Sequence, residues 1–289
     1  MAIGLFVFTS VLALLVSMVF QQEGAVSSQS SGAGNLLYIL WFIILTLAFS
    51  GAILYVARKK GMRVIRGLFI ILSLFVIFIV ALPISELLVT AQYYLINAYS
   101  DYEIYGIWFG IPVIMGYLLL FRQEWYVLNA LGMLLAVGLS AVWGIILNAW
   151  YSALLLAVFA VYDYIAVYRT KHMIELADAS IKGGLPMLFM LPGRRGAKLA
   201  DIREESTRKE GGVMLLGYGD IALPCVMVVS SASLGNFSLF PWFILPLAGA
   251  VAGMLVLFLS ARRPAPGLPF INAGAIAGFL VSVLLSGYL

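Results

Sequence analysis

Two aspartates stand where a chain this apolar has little reason to carry charge: Asp163 in "VYDYIAVYRT" (161–170) and Asp220 in "LLGYGDIALP" (215–224). A carboxyl inside a bilayer costs on the order of 2.5–3.5 kcal/mol or more, so two of them call for a use. In a carrier they would bind protons or cations. In an aspartic protease they would share one proton, because neighbouring carboxylates cannot both ionise cheaply; one then acts as general base on a water while the other donates to the scissile carbonyl. Such a pair titrates as a unit. A third reading makes each carboxyl a hydrogen-bonding partner for an adjacent helix. The acids alone favour the carrier, the commoner use of such residues.

Their surroundings shift that balance. Gly217 and Gly219 precede Asp220; glycines there let a backbone approach and loosen the helix, which lipid tolerates only beside a water-filled cavity. Hydrolysis needs that water. A third segment, "RRPAPGLPF", holds Pro264, Pro266 and Pro269, and prolines bias their predecessors towards extended backbone. The stretch Pro266–Pro269 is therefore expected to be irregular, at a level near the acids.

The elements that must position these residues are membrane spans. The chain has 289 residues, 63% hydrophobic and 10% charged, with a mean hydropathy of +1.06; a soluble domain is excluded. Nine apolar stretches approach the ~20 residues a spanning helix needs: roughly 2–20, 36–56, 67–88, 107–121, 126–146, 149–168, 212–234, 239–260 and 268–287. The first lacks the basic start and small-residue cleavage site of a signal peptide. Among thirteen Asp and Glu, only Glu86, Asp163 and Asp220 fall inside these stretches, and Glu86 lies near the outer end of the third.

All seventeen Lys and Arg fall in loop 57–66, in "RQEW" (122–125), in loop 169–211 or in loop 261–267. With nine spans these four loops share one side, which the positive-inside rule makes cytoplasmic. The N-terminus is then inside and the C-terminus outside. The expected organisation is a six-span half (1–168) carrying Asp163, a cytoplasmic loop (169–211) read as solvated and mobile, and a three-span half (212–289) carrying Asp220. Asp163 lies six residues before Arg169 and Asp220 about eight after the entry near 212, so at about 1.5 Å per residue both sit roughly 9–12 Å inside the cytoplasmic face. Gly249/Gly253 and Gly274/Gly278 are small-residue spacings whose default meaning is close helix packing.

Several chemistries are excluded. The basic residues are accounted for by topology, which leaves no nucleic-acid surface. One cysteine, Cys225, makes neither a disulfide framework nor a thiolate cluster. The sole histidine, His172, lies in the cytoplasmic loop, so neither HExxH zinc chemistry nor a buried Ser-His pair can be built. No metal or cofactor is expected.

Tyr162-Asp163, Gly217-x-Gly219-Asp220 and Pro266-Gly267-Leu268-Pro269, in that order on the sixth, seventh and ninth spans, resemble the YD, GxGD and PALP motifs of presenilin and signal peptide peptidase. Prepilin peptidases share a GxGD-like aspartate, but the PxLP segment argues against them. Gly267 departs from the family's alanine. "GDIALP" is similar to signal peptide peptidases, whereas "YDYIAVY" and an inside N-terminus are closer to presenilin, and the short loops to a prokaryotic version working without accessory subunits. The resemblance implies an all-α polytopic fold of nine transmembrane helices in the cell membrane. It implies hydrolysis of peptide bonds within transmembrane helices by an Asp163–Asp220 dyad, with Tyr162, Gly217, Gly219, Pro266, Gly267, Leu268 and Pro269 shaping the site. The substrate is then a transmembrane protein or peptide that must unwind locally, and Pro266–Pro269 together with the loop end near Gly211 and Gly212 is expected to form its docking edge by strand addition. A homo-oligomer is compatible with the sequence, as is autocleavage in the 169–211 loop. The competing reading is a proton- or cation-coupled carrier using the same aspartates.

Overall fold

A computed structural model of the chain describes residues 1–22, 62–96, 101–122, 124–165, 188–192, 213–260 and 267–288, with isolated helical positions at 37, 40, 41, 44 and 45. The helices are α1 (Ala2–Gln22), α2 (Met62–Ile96), α3 (Asp101–Phe121), α4 (Trp125–Ile146), α5 (Ala149–Ile165), α6 (Tyr218–Leu234), α7 (Ile244–Ser260) and α8 (Leu268–Ser286), with a π turn at Leu239–Phe243 before α7. Among the described residues, six helices are long and apolar enough to cross a membrane. The two that carry the aspartates, α5 and α6, have 17 residues each, about 25 Å at 1.5 Å per residue and at the short limit for a span. The predicted span 36–56 lies almost wholly outside the described residues, as do Pro266, His172, Gly211 and Gly212.

Two strands depart from the all-helical expectation. β1 (Leu188–Pro192) and β2 (Val213–Gly217) pair antiparallel, Leu188 opposite Gly217 and Pro192 opposite Val213. β1 is "LFMLP", an apolar run inside the charged loop that was expected to be solvated, and its Phe189, Met190 and Leu191 are buried. β2 takes the first residues of the predicted span 212–234, so helix α6 begins only at Tyr218. Asp220 thus lies in the first turn of its helix rather than eight residues along it.

The chain divides into two compact units. One comprises residues 48–138 and 178–218: α2, α3, most of α4 and the sheet. Its core joins Ile77, Met115, Leu119, Leu128 and Leu131 to Met190 of β1, and the Trp108 indole N–H donates to the Phe78 carbonyl at 2.8 Å.

The other comprises residues 1–47, 139–177 and 219–289. Its centre is α6, in which every residue from Ile221 to Ser233 is buried, as expected for a helix apolar on all sides. Leu14 of α1 packs on Val228, Ala232 and Phe243, and the Ser10 hydroxyl meets the Cys225 thiol at 3.1 Å. α7 and α8 meet through their small residues: a Cβ at Gly249 would collide with the Gly274 carbonyl, one at Gly253 with the Phe270 carbonyl and one at Gly278 with the Leu245 carbonyl. Both spacings therefore serve close backbone approach within the chain.

Candidate active site

The start of α8 gathers the two aspartates. The Leu268 N–H donates to Asp163 Oδ2 at 3.3 Å. One residue earlier, a Cβ built on Gly267 would lie 3.5 Å from Asp220 Cγ and Oδ2 and 3.7 Å from Oδ1. Consecutive Cα atoms are about 3.8 Å apart, so the two carboxyls flank one step of the chain.

Local sequence explains why this step is available. A helix leaves its first four N–H groups without intrahelical partners. In α8 the second position is Pro269, whose missing N–H removes one of those orphans and whose fixed φ suits a first turn. The first N–H, from Leu268, is taken by Asp163, which thus caps α8 from α5; the Ile271 N–H returns to the Gly267 carbonyl at 3.3 Å. The expectation of an irregular, extended Pro266–Pro269 is corrected in this respect: Gly267 has φ −78° and ψ −44° and the helix starts at Leu268, because proline here begins a helix instead of interrupting one. Helix N-termini carry partial positive charge, and the site has two: Asp220 sits in the first turn of α6, and both carboxyls lie at the start of α8.

Asp163 is 5% exposed, whereas its neighbour Tyr162 is 48% exposed and faces outward from α5. Asp220 is half-buried, and Gly219 beside it is exposed, with open space where a Cβ would stand. Gly217 ends β2. Leu268 is buried, and Pro269 lines an apolar groove of about 520 Å³ between α7 and α8. Asp163, Asp220, Gly267 and Leu268 are therefore the motif residues brought together.

Three residues escaped the sequence reading. Tyr218, the variable residue of the glycine motif, lays its ring over Gly132, packs edge-on against Phe189 with centroids 4.7 Å apart and donates its hydroxyl to the Leu128 carbonyl at 2.7 Å. Asn129 of α4 clasps β1: its Nδ2 donates to the Met190 carbonyl and its Oδ1 accepts the Met190 N–H, both at 2.8 Å. Asn272 of α8 donates to the Leu156 carbonyl of α5 at 3.0 Å. The two asparagines gave a usable signal, since an amide in an apolar span must find a partner. Tyr218 gave none, because a tyrosine between glycines is compatible with many settings.

The family model described as "Signal-peptide peptidase, presenilin aspartyl protease" matches residues 3–288. No curated protein sequence matches the chain. Two crystal structures, both described as a presenilin family intramembrane aspartate protease, share its fold at 28% identity, with TM-scores of 0.65 and 0.64 in two crystal forms; each alignment covers 98% of this chain and 96% of the other. A match over nearly the whole length, joined to aspartates gathered at one helix start, makes this chain a member of the signal-peptide peptidase and presenilin family, a multi-pass intramembrane aspartic protease acting on transmembrane substrates in the bilayer.

Proposed function

We propose that Asp163 and Asp220 are the catalytic dyad and that they hydrolyse peptide bonds within transmembrane helices of membrane-protein substrates. The observation that carries this is that consecutive residues each lie beside one carboxyl: the Leu268 N–H bonds Asp163, and the position where a Cβ of Gly267 would stand borders Asp220. The ionised carboxylate takes a proton from water, whose oxygen adds to the scissile carbonyl carbon, while the protonated partner gives its proton to the carbonyl oxygen. The tetrahedral diol then collapses: the now-ionised carboxylate takes a proton from one diol hydroxyl as the C=O re-forms, the C–N bond breaks, the protonated partner gives its proton to the leaving nitrogen, and a carboxyl and an amine terminus result. The pair again shares one proton and the cycle closes.

A helical substrate must unwind before its carbonyl can be reached, and its freed backbone groups then need partners. β2 supplies them better than the Pro266–Pro269 segment, whose described part is helical. Met190 spends both backbone groups on Asn129, so its pairing with Leu215 is the non-hydrogen-bonded kind, and the Leu215 N–H and C=O point away from β1. An unwound substrate adds along that edge as a third strand. β2 continues directly into α6, with Asp220 three residues beyond Gly217.

The confinement of every Lys and Arg to four loops supports nine spans with the N-terminus in the cytoplasm and the C-terminus outside, in the cell membrane. The chain works without accessory subunits, alone or as a homo-oligomer. The carrier reading finds no support in the family or in the solved relatives.

Detergent-purified protein incubated with a single-span peptide, beside Asp163→Ala and Asp220→Ala, tests the proposal by mass spectrometry of the products. Cuts inside the span that vanish in both variants are expected. Products that persist in either variant refute the dyad, and ion flux in proteoliposomes without any proteolysis would return the carrier.

A further inference from the structure

The bond between Asn272 and Leu156 is not needed by the backbone it reaches. The Leu156 carbonyl lies within α5 and already has the Ala160 N–H as its helical partner. Because that carbonyl can only accept, the amide orientation is fixed: Nδ2 points to Leu156 and Oδ1 points away. Asn272 is wholly buried, and its Oδ1 has no hydrogen-bond partner. A leucine would fill similar space without burying an unpaired oxygen, so packing alone does not account for an amide here.

The bond's position does account for it. Leu268 and Asn272 are four residues apart, one turn, on the same face of α8; Leu156 and Asp163 are seven apart, two turns, on the same face of α5. The pairs 272–156 and 268–163 therefore form two rungs between antiparallel helices. Further along the seam the contact is an edge-on Trp150–Phe279 pair with centroids 5.1 Å apart, apolar and tolerant of sliding. A one-residue slip moves a helix about 1.5 Å and turns it about 100°, which breaks both rungs and brings other apolar side chains of α8 to the seam in place of Phe279. Buried asparagines fix register in this way between coiled-coil helices, at a cost in stability.

We propose that Asn272 is a positioning residue for the dyad: its amide holds α8 in the register that presents the Leu268 N–H to Asp163. The proposal rests on the dyad reading above and extends it to a residue that touches neither carboxyl.

The test compares wild type, Asn272→Leu and Asn272→Asp in cleavage of one single-span peptide across pH, with melting in detergent as a folding control. In Asn272→Leu, kcat falls at least tenfold while KM stays within about twofold, because binding is kept and the alignment of the reacting groups is lost. In Asn272→Asp, a protonated carboxyl can still donate to Leu156 and an ionised one cannot. Its activity divided by that of wild type, which cancels the titration of Asp163 and Asp220, therefore declines as pH rises. A folded Asn272→Leu with wild-type kcat overturns the proposal. If Asn272→Leu does not fold, Asn272→Asp decides: a falling ratio supports the register role and a ratio flat with pH overturns it. A wild type that cleaves nothing overturns the protease reading, and this proposal with it.

Discussion

One methyl group added at Gly267 probes the geometry around Asp220. The backbone there is ordinary helix, φ −78° and ψ −44°, so alanine adopts it without strain. Its Cβ would stand 3.5 Å from Cγ and Oδ2 and 3.7 Å from Oδ1 of Asp220, which is normal van der Waals contact. Replacing glycine by alanine at a compatible position stabilises by about 0.4–1 kcal/mol, chiefly by restricting the unfolded chain. For a chain of this size that corresponds to an increase in Tm on the order of 1–2 °C. Gly267→Ala is therefore expected to melt slightly higher and to keep kcat/KM within about threefold of wild type, the half-kcal scale of a minor packing change. Gly267→Val differs: its two methyls occupy two of the three staggered positions, so turning both away from the carboxyl leaves little choice of rotamer. The resulting crowding costs about 1–3 kcal/mol or displaces Asp220, and cleavage is expected to drop tenfold or more. Melting in detergent and steady-state cleavage of a single-span peptide measure both effects. A well-folded but inactive Gly267→Ala, or a fully active Gly267→Val, would refute the placement of Gly267 against Asp220.

Substitutions of Asp163 separate the cap it forms on α8 from the catalytic role proposed for it. Asp163→Asn keeps an oxygen for the Leu268 N–H and Asp163→Ala does not, so the alanine variant is expected to be less stable by about 0.5–2 kcal/mol, the range for losing a helix cap. Both lose cleavage by at least about 10²-fold, as removal of a general acid–base group requires. An alanine variant that melts with or above the asparagine variant removes the cap from the account. In the other unit, Asn129→Leu strips Met190 of two 2.8 Å hydrogen bonds; at about 1–3 kcal/mol for each buried group left unpaired, β1 is expected to detach. Hydrogen exchange at the Met190 and Leu191 amides reads this directly, and protection equal to wild type would show that β1 stands without its clasp.

Hydrophobicity and charge act through residues close together in the chain, and what they govern can be read from its order alone. Runs of apolar residues place helices, because a backbone in lipid must satisfy its own hydrogen bonds: α4 at Trp125–Ile146 and α8 at Leu268–Ser286 fall on the predicted stretches, whereas α2 runs eight residues past the end of its stretch and α3 begins six residues before its own. Asp163 and Asp220 were legible because an acid inside an apolar run stands out, and Gly249, Gly253, Gly274 and Gly278 because close packing is what that spacing ordinarily serves. What local pattern could not carry was the meaning of residues whose partners lie far away in the chain. "VMLLG" is as apolar as any helical run, and it becomes β2 because "LFMLP", more than twenty residues earlier, offers it a partner. Pro266–Pro269 reads as a breaker by propensity, yet its described part opens α8 because Asp163, more than a hundred residues before it, takes the Leu268 N–H. Asn129 and Asn272 announce only that they need a partner; Met190 and Leu156 are chosen by the packing of whole elements. The residues proposed to carry the chemistry thus stand out in the sequence, and their alignment comes from the packing of whole helices, since hydrogen bonds depend on positions to a few tenths of an ångström that only the packed helices fix.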